Sequence, residues 1–310
     1  MFLFPLRKYL NLFNLIILMI LILFPALSFA DAERIFKKNS KAVVVIETYD
    51  KYGKIISQGS GFIVREDGAV VTNYHVISNA TDIKVKTGNK VLKVYGLIYI
   101  DKENDIVILK AEGQKLQTVK IGDIRKLSIG EKVYVISSPQ GLENTISEGI
   151  LSGIREIAPD KKILQITAPI SPGSSGGPVF NKNGEVIGIA TALLKESQNI
   201  NFAMPVNLIK DKISAKKVIA LKDTKIEAYK NRAEYWFWLG YYNEEAGLHR
   251  EAMEAFKQAI RIKPDFVEAH YGLGVTYLLL NDRGAALDEY KILRELNPEL
   301  ANKLFNLIYK

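Results

Sequence analysis

The sequence predicts a multidomain β + α protein, in which a β-rich segment precedes an all-α segment. Residues 41–204 contain short β-branched runs separated by turn signals such as Glu66-Asp67-Gly68. This pattern favours an antiparallel sandwich or barrel over a βαβ sheet. After Pro205 glycines become rare and the apolar spacing shifts towards 3.6 residues, which is typical of helices. A chain of 310 residues allows about two domains, each with its own core.

The composition excludes several kinds of chemistry. The chain has no cysteine, which rules out disulfide scaffolds, cysteine-ligated metals and thiol nucleophiles. Only three histidines are present, so we expect no multi-histidine metal site. We also expect no metal or organic cofactor to be required. The net charge is +8, but the lysines are scattered among acids and no run combines aromatic with basic residues. We therefore expect no nucleic-acid partner.

The first thirty residues have the features of a targeting segment. Arg7 and Lys8 precede an apolar run over 15–27, and Ser28-Phe29-Ala30 resembles a cleavage site. The sequence predicts a signal peptide over 1–30. An uncleaved anchor stays open, because the apolar stretch approaches the ~20 residues that span a bilayer. Both interpretations export the remaining chain to the periplasm or cell envelope, with membrane contact only through this segment.

The all-α segment contains a repeat with a period of 34 residues. Identical residues recur at that distance in the pairs Leu239/Leu273, Gly240/Gly274, Ala252/Ala286 and Pro264/Pro298. The pattern resembles the tetratricopeptide repeat, which implies two antiparallel helices per repeat and close helix packing at the glycines. We expect two repeats over 233–300, a capping helix over 301–310 and a helical linker over 210–232. Four aromatic residues and one histidine are then core residues: Trp236, Trp238, Phe256, Tyr290 and His270.

Within the β-rich segment, three residue types appear in an order typical of one class of hydrolase. His75 ends a strand-like run, Asp105 opens another, and Ser175 lies in Pro172-Gly173-Ser174-Ser175-Gly176-Gly177-Pro178. A serine hydroxyl needs a base to remove its proton, and a carboxylate can orient that imidazole base. The residues alone leave rivals open: Ser171 and Ser174 as nucleophile, and Asp101 as orienting carboxylate.

The glycines around the serine have a catalytic explanation. An oxyanion hole needs backbone N–H groups aimed at one point, in a turn that residues with a Cβ adopt reluctantly. We expect Gly173, Ser174 and Ser175 to form it, with Gly173 and Ser175 as the main donors.

These motifs resemble those of the HtrA/Deg proteases, the bacterial trypsin-like branch. The resemblance rests on Thr-Asn-x-His-Val, Asn-Asp-Ile-Val-Ile-Leu-Lys and Pro-Gly-x-Ser-Gly-Gly-Pro-Val, and covers about residues 42–209. It implies a chymotrypsin-like double antiparallel β-barrel over 31–209, with His75, Asp105 and Ser175 as the triad between the barrels. The family usually carries PDZ domains after the protease, whereas this chain has the repeats.

The resemblance also implies a substrate pocket. The run 201–206 is similar to the strand beside the family's specificity pocket, and we assign the pocket to Ile189, Ala190, Asn201, Phe202 and Ala203. The pocket strand is largely apolar, and no acidic residue lies in the twelve positions before Ser175. We therefore expect cleavage after small or aliphatic residues.

Taken together, the sequence predicts an exported serine endopeptidase that acts on unfolded or specific envelope proteins. We expect the repeats either to bind a protein partner or substrate or to serve only a structural role. The sequence also leaves open whether the protein forms a homo-oligomer. The alternative function is a catalytically silent envelope scaffold on a protease fold, acting through its repeats.

Overall fold

The structure is a computed structural model that describes residues 31–138, 144–158, 161–191 and 201–310. The proposed signal peptide or anchor lies outside these residues. A helix, α1, covers residues 31–39. No helix in the part of the chain that the structure describes is long and apolar enough to cross a membrane.

The first barrel closes from six antiparallel strands. They pair in the order β5-β4-β1-β2-β3-β6, and a further β5–β6 pairing closes the ring. The strands are β1 (Val43–Tyr49), β2 (Ile55–Arg65), β3 (Ala69–Asn73), β4 (Asp82–Thr87), β5 (Lys90–Asp101) and β6 (Ile106–Ala111).

The second barrel repeats this architecture. Its six strands pair in the order β11-β8-β9-β10-β13-β12 and close through β11–β12, while β7 runs parallel to β12 at the edge. The strands are β7 (Lys120–Ile121), β8 (Lys132–Ser137), β9 (Thr145–Ala158), β10 (Lys161–Ile166), β11 (Pro178–Asn181), β12 (Glu185–Thr191) and β13 (Asn201–Pro205).

Several strands of the first barrel are apolar on both faces because each face meets a different core. Along β6, Val107 and Leu109 point into the barrel, while Ile106 and Ile108 belong to the core shared with the second barrel. On β3, likewise, Val70 points into the barrel and Val71 belongs to the shared core. Successive strand residues face opposite sides, so an uninterrupted apolar run indicates burial on both. The two barrels therefore share a continuous apolar interface.

The segment over 210–232 is not the helix that the sequence predicted. After α2 (Asn207–Lys210), the chain runs along the first barrel, where β14 (Ile219–Ala220) pairs with β5. Only short 3-10 turns follow, at Leu221–Asp223 and Tyr229–Asn231. The Arg65 guanidinium also donates to the carbonyls of Ile213 and Ala215. These long-range hydrogen bonds outweigh the helix propensity of a lysine-rich segment.

Five helices form the C-terminal module. α3 packs on α4, α5 on α6, and α7 on both α5 and α6. A Cβ at Gly240 would lie 2.7 Å from the Phe256 ring, and one at Gly274 would lie 2.5 Å from Leu304, so both glycines permit the predicted close packing. The helices are α3 (Ala233–Glu245), α4 (His249–Ile262), α5 (Val267–Leu279), α6 (Arg283–Leu296) and α7 (Pro298–Ile308). The fold class predicted from sequence, a double barrel followed by a helical-repeat module, is confirmed.

The predicted core residues of the module differ in burial. Trp238 and Phe256 are each 1% exposed, whereas Trp236 and Tyr290 are half-buried. His270 is buried, with Nδ1 2.6 Å from Glu289 Oε2 and Nε2 2.8 Å from the Pro264 carbonyl. It therefore joins the two helices of the second repeat and the turn before them.

The module packs tightly on the second barrel. Phe237, Trp238 and Tyr242 of α3 lie in the same apolar cluster as Ile157 and Phe202 of the barrel. Two ion pairs flank this contact: Arg155 with Glu245 at 3.9 Å and Lys161 with Glu268 at 3.7 Å. The module and the barrels therefore share a core.

Glu244 on α3 makes the stability of this module depend on pH. Burial raises its pKa from 4.5 to about 7, and a 2.7 Å hydrogen bond from Thr276 Oγ1 only partly offsets this. The raised pKa means that the folded state loses stability as pH rises from about 4.5 to 7. Across this range the wild type should lose about 3 kcal/mol of unfolding free energy. Glu244→Gln keeps a hydrogen-bond acceptor but has no carboxyl to titrate, so we expect this pH-dependent loss to disappear.

The measurement is denaturant unfolding of both proteins between pH 4 and 8. Exposed Glu254 on the neighbouring helix provides the control, since Glu254→Gln should leave the slope unchanged. Parallel pH profiles of the wild type and Glu244→Gln would contradict the prediction.

Candidate active site

His75 stands at the end of β3, where the strand turns into a short 3-10 helix. Its backbone N–H donates to Asp105 Oδ1 at 2.8 Å, and its Nδ1 lies 2.5 Å from Asp105 Oδ2. The Asp105 side chain is 1% exposed and the His75 side chain 20% exposed. One carboxylate thus fixes both the backbone and the ring of the histidine, leaving Nε2 as the ring nitrogen that can exchange protons with a substrate or nucleophile.

Asp105 has an unusual backbone conformation for a residue with a side chain. Its φ is +55°, in the left-handed region. Its carbonyl accepts hydrogen bonds from the Tyr74 N–H at 3.0 Å and from Asn73 Nδ2 at 2.9 Å. Because the end of β3 binds both the carbonyl and the carboxylate, the local fold compensates for this strained conformation.

The rival carboxylate has a different role. Asp101 accepts hydrogen bonds from the backbone and side-chain nitrogens of Asn104, at 2.9 and 2.8 Å, and from the Tyr99 hydroxyl at 3.2 Å. It therefore stabilises the turn that leads into Asp105, and it is Asp105 that contacts His75.

The loop that carries Ser175 is fixed by hydrogen bonds to both barrels. Ser60 of the first barrel donates its N–H to the Ser175 carbonyl at 2.8 Å and its hydroxyl to the Gly173 carbonyl at 2.7 Å. Gly176 N–H donates to the Ala190 carbonyl on β12 at 2.8 Å. The loop therefore spans the junction between the barrels.

The same contacts bring Ser175 beside the histidine turn. A Cβ at Gly59 would lie 2.6 Å from Val76, the residue after His75, and 3.1 Å from the Ser175 carbonyl. A Cβ at Gly176 would lie 3.0 Å from the Asn73 N–H nitrogen. The structure therefore brings the three sequence-distant segments of His75, Asp105 and Ser175 together at one place.

Of the rival serines, Ser174 is committed to holding the loop. Its Oγ accepts from the Ser137 hydroxyl at 3.0 Å and from the Ser171 N–H at 3.2 Å, and the residue is 2% exposed. Ser171 is exposed at the start of the loop. Gly173, with a φ of +97°, makes the turn before Ser174. The assignment of Gly173, Ser174 and Ser175 to an oxyanion hole stays a prediction.

The five predicted pocket residues lie on neighbouring strands beside this loop. Ala190 pairs with Ala203 across β12 and β13, and both side chains belong to the core of the second barrel. Phe202 stacks on Tyr242 of α3, with ring centroids 4.7 Å apart. Asn201 donates to the Ala168 carbonyl at 3.0 Å, and Ile189 is buried. Their role as a substrate pocket stays a prediction.

Residues missed by the sequence reasoning surround the His75–Asp105 pair. The Tyr229 ring lies 6.5 Å from the His75 ring at an interplanar angle of 25°. Trp238 Nε1 donates to the carbonyl of Glu103, two residues before Asp105, at 2.8 Å. The sequence signal for both residues was weak. Tyr229 is an isolated aromatic residue, and the position of Trp238 is explained by core packing in the repeat.

In the described parts of the chain, no group of three or more His, Asp or Glu residues could hold a metal ion.

Two closed antiparallel barrels with a histidine, an aspartate and a serine at their junction define the chymotrypsin class of fold. Comparison with known proteins places the chain more narrowly. Residues 59–189 match the trypsin-like peptidase domain, and residues 244–281 match a TPR repeat. The chain belongs to the HtrA/Deg-type trypsin-like proteases and carries tetratricopeptide repeats after the peptidase domain.

One similar protein is a DegP-like protein of Pseudomonas putida (strain W619), which is named a probable periplasmic serine endoprotease. It is 38% identical over 168 residues, which cover 52% of this chain and 35% of the relative. The chain thus spans about a third of the length of the curated relatives it matches.

Two solved structures share the fold. The serine endoprotease from Yersinia pestis is 31% identical with a TM-score of 0.53, covering 59% of this chain and 66% of that one. Deg5 is 30% identical with a TM-score of 0.52, covering 59% and 91% respectively.

Gly176 provides a test of how tightly this loop fits. Its φ is +85°, and a Cβ would lie 2.2 Å from both the Ser60 carbonyl and Thr72 Oγ1. We expect Gly176→Ala to reduce the unfolding free energy by about 3 kcal/mol or more, because backbone strain and a clash with backbone act together.

Gly130 is the matched control, since it has a similar φ of +91° but open space at its Cβ. Gly130→Ala should cost only the strain, about 1 kcal/mol. Denaturant unfolding measures both values, and equal losses would contradict the packing described for the loop.

Proposed function

We propose that the protein is a serine endopeptidase that cleaves polypeptides through an acyl-enzyme. The observation that carries the proposal is the buried Asp105 carboxylate, which contacts the backbone N–H and the ring Nδ1 of His75, beside the glycine-rich loop of Ser175. An imidazole held in this way has its Nδ1–H engaged, so that Nε2 is available as a base. The trypsin-like match over residues 59–189 and the endoprotease relatives support the same activity.

In the proposed mechanism, His75 Nε2 removes the proton from Ser175 Oγ as the oxygen attacks the peptide carbonyl. The protonated imidazole then donates this proton to the leaving amine, and water later hydrolyses the acyl-enzyme by the same route. Asp105 stabilises the imidazolium without becoming protonated. The backbone N–H groups of the loop, chiefly those of Gly173 and Ser175, bind the oxyanion, where loss of one donor typically costs about 10²–10³ in turnover.

Two observations support a location in the cell envelope. A relative is named as periplasmic, and residues 1–30 have the charge, apolar run and cleavage-site pattern of an exported protein. We therefore place the enzyme in the cell envelope, where unfolded or specific envelope proteins are its substrates and the repeats contact a protein partner or substrate.

Substitution of the proposed triad should separate the enzyme from a silent scaffold. Ser175→Ala should abolish digestion of unfolded casein, because alanine has no hydroxyl to attack the peptide carbonyl. The matched control is Ser171→Ala at the exposed rival serine, which should digest casein at the wild-type rate. Casein digestion by Ser175→Ala at the wild-type rate would contradict the proposal, and so would an inactive wild type.

The carboxylate assignment has its own test. Asp105→Asn should lower kcat about ten-thousandfold, because the amide favours the wrong imidazole tautomer. Asp101→Asn should retain most activity, since among the described residues Asp101 accepts hydrogen bonds from Asn104 in its own turn and from Tyr99. Peptide hydrolysis rates give both values, and a larger loss in Asp101→Asn than in Asp105→Asn would reverse the assignment.

Cleavage preference tests the apolar pocket. We expect cleavage after small or aliphatic residues, because the pocket strand offers no carboxylate to bind a basic side chain. A peptide library analysed by mass spectrometry measures the preference, and predominant cleavage after Lys or Arg would show that the pocket is acidic.

A further inference from the structure

Tyr229 covers one face of the proposed catalytic histidine from outside the two barrels. It belongs to the segment that joins the barrels to the repeats, and its ring lies nearly parallel to the His75 ring with centroids 6.5 Å apart. Tyr229 is 1% exposed, so the ring is covered from solvent. Tyr229 is therefore buried against the imidazole and is not exposed on the protein surface.

The position of Tyr229 is fixed from several directions. Its backbone N–H donates to Ser78 Oγ at 2.8 Å, just after the 3-10 turn that begins at His75. Two residues earlier, the Glu227 N–H donates to the Tyr74 hydroxyl at 3.2 Å. The Tyr229 ring meets Tyr74 and Tyr235 edge-on, with centroids 5.7 and 5.9 Å away. Residues on both sides of His75 thus bind the segment, while Tyr235 links it to the first helix of the module.

That helix, α3, also contacts the turn that leads into Asp105. Trp238 donates its indole N–H to the Glu103 carbonyl in the turn before Asp105, at 2.8 Å. Tyr242 stacks on Trp238 with centroids 5.8 Å apart. Burial raises the pKa of both Tyr229 and Tyr242, and the negative charge of Asp105 raises each further.

We infer that the C-terminal part of the chain completes the active site, with Tyr229 as a positioning residue for His75. The inference rests on the proposed protease function and specifies how that site is built. The Tyr229 ring holds the imidazole plane and keeps water from the His75–Asp105 hydrogen bond, which is stronger where water is excluded. Trp238 holds the turn that carries Asp105. Catalysis therefore depends on the docking of the repeat module.

The ring of Tyr229, and not its hydroxyl, carries this role. The hydroxyl oxygen is buried and has no hydrogen-bond partner among the described residues. Tyr229→Phe should therefore retain the function, whereas Tyr229→Leu removes the flat surface against His75. This pair of variants separates ring packing from any hydrogen bond of the phenol.

The first experiment measures peptide hydrolysis by the full chain. For Tyr229→Leu we expect kcat to fall at least about tenfold with KM within about twofold, because misplacing a catalytic group affects the chemical step. Tyr229→Phe should stay within about twofold of the wild type. Tyr290→Leu is the matched control, since Tyr290 is half-buried in α6 and its ring contacts Phe305. It should retain full activity.

The second experiment does not need activity. The Nδ1 proton of His75 should give a downfield NMR resonance, because it lies in a buried hydrogen bond to Asp105. In Tyr229→Leu this resonance should broaden through exchange with water, while it stays sharp in Tyr229→Phe and Tyr290→Leu. This readout is independent of turnover. A wild type without protease activity would therefore contradict the proposed function, while the NMR resonance would still test the positioning role of Tyr229.

Wild-type kcat and a sharp resonance in folded Tyr229→Leu would overturn the inference, as would equal losses in Tyr229→Leu and Tyr290→Leu. If Tyr229→Leu fails to fold, Trp238→Phe replaces it. This variant keeps an aromatic ring but loses the hydrogen bond to Glu103, and it should lower kcat at least about threefold without raising KM. Unchanged kcat in folded Trp238→Phe would then overturn the inference.

Discussion

The hydrogen bonds between Asp105 and the end of β3 are the constraint on which the rest of the site depends. A buried carboxylate is costly unless polar groups satisfy it. Here the backbone N–H and the Nδ1 of His75 contact the two carboxylate oxygens of Asp105, and the Asp105 carbonyl accepts hydrogen bonds from Asn73 and Tyr74. The left-handed backbone of Asp105 is the conformation that makes all of these contacts at once.

The two barrels and the repeat module enclose this pair from different sides. The first barrel supplies His75 and Asp105, and its Ser60 holds the serine loop of the second barrel through two hydrogen bonds. The module adds Trp238 behind the aspartate turn. Because all three parts share one continuous apolar cluster, displacement of any one of them would disturb the others.

Most of the fold and the approximate position of the site could be predicted from the sequence, because both leave local patterns. Each strand run, each turn signal and each of the three short motifs spans only a few consecutive residues, and the repeat is visible from its 34-residue period. The linker was wrongly predicted as a helix, since its conformation depends on pairing with β5 and on Arg65, about 150 residues away. Tyr229 was missed for the same reason: its partner His75 is distant in sequence, and an isolated tyrosine has no periodicity to identify it.

If the fold activates one particular hydroxyl, that of Ser175, active-site labelling should detect it directly. Diisopropyl fluorophosphate reacts with a serine whose proton is removed by a neighbouring base, and peptide mapping then locates the adduct. We expect a single adduct on Ser175, which disappears in His75→Ala. An adduct on Ser171 or Ser174, or a wild-type protein that stays unlabelled, would contradict the account.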